Sequence, residues 1–163
     1  MKLYLVRHAT AEDGTAATED KDRGLTEDGK TRMVRAVRGL QKLKINPVLI
    51  LTSPLKRARE TAEILAHGLA GVRVEVMPEL GPGVDSPTLV AALRSHAGHK
   101  SVALVGHQPG LGRLASFLLT GAERRCDFDF KKGGVACLEA DFSDHTAHCA
   151  LQWFTAPKLL RRI

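Results

Sequence analysis

Short apolar runs and longer amphipathic stretches alternate along the whole chain, and that alternation limits the fold more than any other feature. Residues 3–6 read as a first strand, and 48–52 as a second, apolar enough to be buried on both faces. Residues 72–77 are β-branched and alternating, 101–105 form a fourth run, and 134–142 with 148–154 read as a late antiparallel pair. Helices fit between these runs. Thr26 can cap one that reaches about residue 43, with Met33, Val37 and Leu40 on one face. Pro54 can start the next, where Ala58, Ala62, Leu65 and Leu69 share a stripe. Ser86-Pro87 reads as the cap and first residue of a helix through Leu93, and Pro109 opens another with Gly121 just past its end. Strands alternating with helices predict an α/β three-layer sandwich, a mostly parallel central sheet with helices on both faces. With 163 residues, no repeat and no linker, the expectation is a single domain over 1–163. Residues 12–23 are polar and aperiodic, and are expected to form a mobile loop.

Three clusters follow the ends of apolar runs. Arg7-His8 follows the first, Ser53-Pro54 and then Arg57 the second, and Gly106-His107 the fourth. Open α/β sheets bind ligands beyond the carboxyl ends of their strands, so parallel neighbours would bring all three clusters to one pocket. Taken singly, each has an ordinary explanation: an incidental strand-end pair, a helix-surface arginine, a hydrogen-bonded structural histidine. Taken together, two arginines and two histidines form a cationic cluster that is costly to bury unless an anion visits it. Arginine grips phosphate with a planar fork, and histidine is among the side chains that form covalent intermediates. An attacking imidazole nitrogen must be unprotonated. Arg7 and Arg57 are expected to push His8 that way, since like charge disfavours the imidazolium.

These residues resemble the motifs of the histidine phosphatase superfamily, the phosphoglycerate mutase-like proteins. Leu5-Val6-Arg7-His8-Ala9 is similar to the family signature, which more commonly ends in Gly. The segment Ser53-Pro54-Leu55-Lys56-Arg57-Ala58-Arg59-Glu60-Thr61-Ala62 is similar to its second motif, and Gly106-His107-Gln108-Pro109 to its third, where Glu is more usual than Gln. Arg23-Gly24-Leu25-Thr26 with Gly29, Pro78-Glu79-Leu80 with Pro82 and Asp85, and Pro157-Lys158-Leu159 resemble the SixA-type phosphohistidine phosphatases. The resemblance implies that His8 takes the phosphoryl group as nucleophile, while Arg7, Arg57 and His107 hold its oxygens. It implies no metal and no cofactor. Larger members carry an acid, often on an inserted lid, that protonates the leaving oxygen. Between Ala62 and Ser101 there is room for about one strand and one helix, so no large lid insertion is expected. Glu79 is the nearest carboxylate candidate, but it precedes Leu80 where the family's acid comes after the matching leucine, so it reads as a rim or structural residue.

The expected function is therefore a phosphatase with a phosphohistidine enzyme intermediate that dephosphorylates phosphohistidine on proteins, with a phosphate or sulfate ion fitting its pocket. A P–N bond to imidazole has a labile leaving group and tolerates a missing acid, whereas an alkyl ester gains much from one. The partners implied are a histidine phosphotransfer domain or a histidine-phosphorylated carrier, met by a monomer in the cytoplasm. The alternatives are a broader phosphomonoesterase acting on small esters and a non-catalytic phosphate-binding module.

A net charge of +6 suits anionic partners, but at 4% aromatic residues a single-strand stacking platform is disfavoured, and no nucleic acid is expected. No apolar run is long enough for a signal peptide or a bilayer span, so no membrane association is expected. Cys126, Cys137 and Cys149 are odd in number and lack a CxxC, and read as reduced, mostly buried thiols. Asp144, His145, His148 and Cys149 could in principle bind a metal, yet they fall between two late strands, where polar turn residues are ordinary. Arg124-Arg125 and Lys131-Lys132 read at first as surface charge that could also help dock an acidic partner.

Overall fold

The computed structural model describes residues 1–142 and 148–163. Among the described residues six strands form one sheet: β1 (Lys2–Arg7), β2 (Leu49–Thr52), β3 (Val74–Val76), β4 (Ser101–Gly106), β5 (Val135–Asp141) and β6 (His148–Thr155), in the order β3-β2-β4-β1-β5-β6. The first four are mutually parallel; β5 runs antiparallel to both β1 and β6. Five α-helices among the described residues cover the sheet: α1 (Glu27–Lys42), α2 (Lys56–Gly68), α3 (Ser86–Leu93), α4 (Gly110–Thr120) and α5 (Pro157–Leu160).

Side chains alternate across each central strand, and the core therefore splits in two. Leu3, Leu5, Leu49, Leu51, Val102 and Leu104 face one way and pack with α3 and α4. Tyr4, Val6, Ile50, Ala103 and Val105 face the other way and pack with α1, α2 and α5. This gives the three layers read from the sequence. β2 and β4 are buried along their whole length, and β1 from Leu3 to Val6, because helices cover both faces, whereas β3 and β6 at the edges stay partly exposed.

Several boundaries differ from the expectation. α2 starts at Lys56 rather than at Pro54. α3 is capped by Asp85, whose carboxylate accepts from Thr88 N at 2.8 Å, and Ser86 is its first residue. α4 begins at Gly110 with Pro109 as its cap residue, and ends at Gly121 in the left-handed conformation (φ 77°) as expected. Thr26 caps α1 by accepting from Gly29 N at 2.9 Å, a contact worth about 1 kcal/mol. Gly29 is required there, because a Cβ would lie 2.2 Å from the Thr10 carbonyl oxygen. Of the thiols, only Cys137 is buried; Cys149 is half-buried and Cys126 exposed. Asp144 and His145 lie outside the described residues; His148 and Cys149 open β6.

Residues 12–23 are pinned rather than free. Glu12 N donates to Gly24 O at 2.9 Å and Arg23 Nε to Glu12 O at 2.7 Å, closing the base of the excursion. Its far side, residues 20–22, is a single 3-10 turn tied to α2 through Arg57. Hydrophobic periodicity carries no trace of such polar ties.

Candidate active site

The carboxyl ends of β1, β4 and β2 lie level. Arg7 is the register partner of Gly106, and Thr52 that of Val105. His8 N donates to Gly106 O and Ser53 N to Val105 O, both at 3.0 Å, so the ladder carries each chain one residue past its strand. His8, Ser53 and His107 therefore emerge side by side, as the parallel-neighbour argument requires. Thr61 brings the fourth element in. Its hydroxyl accepts from Ala9 N at 3.1 Å and donates to Arg57 O at 2.7 Å, locking the first turn of α2 against the segment after His8.

His8, Arg57 and His107 are each only 7% exposed, deep enough for their charges to interact strongly. The two imidazole rings lie 5.1 Å apart, centroid to centroid, and are tilted by 53°. His8 Nδ1 is 2.7 Å from the Ala9 carbonyl oxygen. A carbonyl can only accept, so Nδ1 carries the proton and Nε2 of the neutral ring keeps its lone pair. His107 is held the other way round: Nε2 meets Ser53 Oγ at 2.8 Å, while Nδ1 is buried without a partner among the described residues. Arg7 donates Nη1 to Phe130 O, and its Nε is a second buried orphan. Orphaned polar atoms of this kind, set among cations, suit a ligand that brings its own acceptors.

Both histidines are held neutral. Burial pushes His8 down to about 3, opposed by the Ala9 hydrogen bond and reinforced by His107, Arg57 and Arg7. Burial likewise takes His107 down to about 4, with Arg57 and Arg7 lowering it and Asp20 raising it. The direction agrees with the sequence reading, but burial outweighs the arginines.

The arginine fork has a carboxylate that the sequence reading missed. Arg57 Nη1 donates to Asp20 O at 2.7 Å and Nη2 to Asp20 Oδ2 at 3.0 Å, while Arg23 Nη1 donates to Asp20 Oδ1 at 2.8 Å. The bond from Arg57 holds the Asp20 carboxyl below the usual carboxylate range. One end of the guanidinium is thus fixed, and its Nε edge has no protein partner among the described residues. The only sequence signal was indirect: a cationic cluster needs a counter-charge from somewhere. Glu79, half-buried in a 3-10 turn after β3, makes no hydrogen bond or ion pair with these four residues.

Level strand ends, paired imidazoles and a clamped arginine define an α/β protein with a buried cluster of arginine and histidine at the carboxyl edge of its parallel strands. The model of the histidine phosphatase superfamily (branch 1) matches residues 3–81. An uncharacterized protein of Picosynechococcus sp. is 38% identical over 98% of this chain and 99% of its own length. The phosphohistidine phosphatase SixA of Escherichia coli K12 is 31% identical over 74% of this chain and 76% of its own. The solved structure of the protein histidine phosphatase SixA complexed with tungstate superposes with a TM-score of 0.87 at 28% identity, covering 98% of this chain and 99% of that one. The chain belongs to the histidine phosphatase superfamily, on its SixA-like side, and is a phosphatase.

Proposed function

We propose that this phosphatase removes phosphoryl groups from phosphohistidine on proteins, without a metal, through an intermediate phosphorylated on His8. The observation that carries the reading is the tautomer of His8: its Nδ1–H is spent on Ala9 O, so Nε2 has a free lone pair beside two guanidinium groups. In the first step the Nε2 lone pair forms a bond to phosphorus. The P–N bond of the substrate breaks, its electron pair returns to the substrate imidazole, and solvent protonates that nitrogen. In the second step water attacks phosphorus, the Nε2–P bond breaks, and inorganic phosphate leaves with the water's oxygen. Arg7 and Arg57 stabilise the equatorial oxygens with the positive charge that magnesium supplies in other phosphoryl transfers, and the neutral His107 ring offers a hydrogen bond.

The carboxylates favour a P–N substrate. Asp20 is held ionised by Arg57 and cannot donate a proton near neutral pH. Glu79 is not joined to the pocket, and between α2 and β4 the chain forms only β3, two short 3-10 turns and α3. An alkyl phosphate would have to leave as an unprotonated alkoxide, whereas imidazole leaves readily once solvent protonates it. The SixA relatives, one named a phosphohistidine phosphatase and one seen with an oxyanion, support the same reading. The test is a panel of phosphohistidine proteins and small phosphate esters assayed with excess EDTA. Phosphohistidine discharge at least about a hundredfold faster than ester hydrolysis is expected; faster ester turnover, or a requirement for metal, overturns the reading.

A further inference from the structure

Directly beside the β1 end lies a cavity of about 330 Å³ that shares Arg7 with the proposed chemistry, which uses none of its other lining residues. Arg7, Arg32, Lys131, Lys132 and Arg161 line it, and among the described residues no carboxylate does. Two of the five are partly neutralised from outside: Arg32 pairs with Asp28 at 2.7 Å and Lys131 pairs with Asp129. Lys132 and Arg161 have no carboxylate within 4.0 Å among the described residues.

The cations are placed, not scattered. Gly133 N donates at 3.1 Å to the carbonyls of both Arg7 and His8, which fixes Lys132 one residue away from the backbone of the proposed nucleophile. Arg161 follows α5, which docks on α1 where Gly39 leaves room for the Leu160 carbonyl; a Cβ at Gly39 would lie 2.0 Å from that oxygen. Ala9 and Thr10 also line the cavity, so it opens alongside the segment that carries His8. A substrate residue spans about 3.3 Å of extended chain, so side chains two to four residues from a phosphohistidine reach about 7–13 Å sideways. That reach covers a cavity whose wall begins at the residue next to His8.

We infer that this cavity is a docking subsite for carboxylate side chains flanking the phosphohistidine of the substrate protein, so that the enzyme selects phosphohistidines set in an acidic surface. The inference rests on the function proposed above and adds the chemistry of the partner. Acidic neighbours satisfy Lys132 and Arg161, which lack internal partners, and charge complementarity of this kind raises association rate and selectivity more than static affinity.

The test uses two synthetic phosphohistidine peptides that differ only in flanking glutamates or glutamines, with phosphoramidate as a small P–N substrate that has no flanks. At low ionic strength the wild-type protein is expected to show a kcat/KM about tenfold higher for the glutamate peptide, a preference that shrinks in 0.5 M salt. The double variant Lys132→Glu with Arg161→Glu loses or reverses the preference and leaves phosphoramidate hydrolysis within about twofold. Lys132→Gln alone, at an exposed site, lowers the preference about threefold and covers the case in which the double variant fails to fold. Equal rates on the two peptides in the wild type overturn the docking subsite and leave the phosphohistidine reading standing. Discharge of neither peptide overturns both. A DNA duplex that binds tightly and is released by Lys132→Glu assigns the cations to nucleic acid, and overturns the carboxylate subsite.

Discussion

The ends of β1 and β4 each present one histidine, equally buried and 5.1 Å apart, yet the two are wired in opposite senses. His8 spends Nδ1 on a backbone carbonyl, which forces the proton onto that nitrogen and leaves Nε2 as a base. His107 spends Nε2 on the Ser53 hydroxyl, which can donate or accept, and leaves Nδ1 unpartnered. A backbone carbonyl dictates a tautomer; a hydroxyl permits either. The strand end with the dictated tautomer is suited to attack, and the adaptable one to following the charge of a passing phosphoryl group.

The largest expected effect separates these roles. His8→Ala should lose the phosphoenzyme and slow turnover by about 10⁴-fold or more, whereas His107→Ala should lose about 10²-fold and still trap phosphate on His8. Rapid-quench labelling, followed by acid and base treatment, checks this, and equal loss of labelling in both variants would remove the distinction. Asp20 belongs to the same comparison, because it anchors the arginine facing both rings. Asp20→Asn keeps the backbone bond to Arg57 but drops the carboxylate. Turnover should fall about tenfold, with Asp20→Glu recovering part of it, and steady-state kinetics should show the loss in kcat more than in KM.

Stability against pH sharpens the comparison from another side. Both histidines have folded-state pKa values below the ordinary 6.5, about 3 for His8 and about 4 for His107. The unfolded chain therefore binds protons that the folded one does not, so their contribution is complete above 6.5 and is lost as pH falls toward those values. Each histidine should cost about 1.4 kcal/mol per pH unit across that window. Denaturant titrations from pH 7 to 4.5 should show His107→Gln flattening the slope by about that amount, and an unchanged slope would mean that the ring is already charged in the folded protein. Smaller still, Ser53→Ala should slow turnover threefold to tenfold by freeing the His107 ring, and leave His8 labelling intact. Glu79→Gln should stay within about twofold on a phosphohistidine substrate; a larger fall on stopped assay would return Glu79 to the chemistry.

The layers and the mostly parallel sheet were legible in the sequence because they follow from periodicity, whereas the meeting of Arg7, His8, Arg57 and His107 was legible only on the condition, met by the strand order, that β1, β2 and β4 are parallel neighbours. Apolar alternation sets which faces are buried, and strand ends set where ligands bind. Asp20 was not legible, since its role comes from a carboxylate reaching Arg57 across 37 residues and nothing in a polar, aperiodic stretch records that reach. The opposite wiring of the two histidines was hidden for the same reason, as it depends on which atom stands 2.7 Å or 2.8 Å from each ring. The helix starts at Lys56 and the cap at Asp85 shifted by a residue or two because a proline or serine nearby offered an equally good local signal.

The most direct measurement is the phosphorylated atom itself. Phosphorus–proton correlation NMR on the intermediate, trapped from a phosphohistidine donor at alkaline pH, should place the phosphoryl group on Nε2 of residue 8. A phosphoryl group on Nδ1, or on His107, would contradict the account.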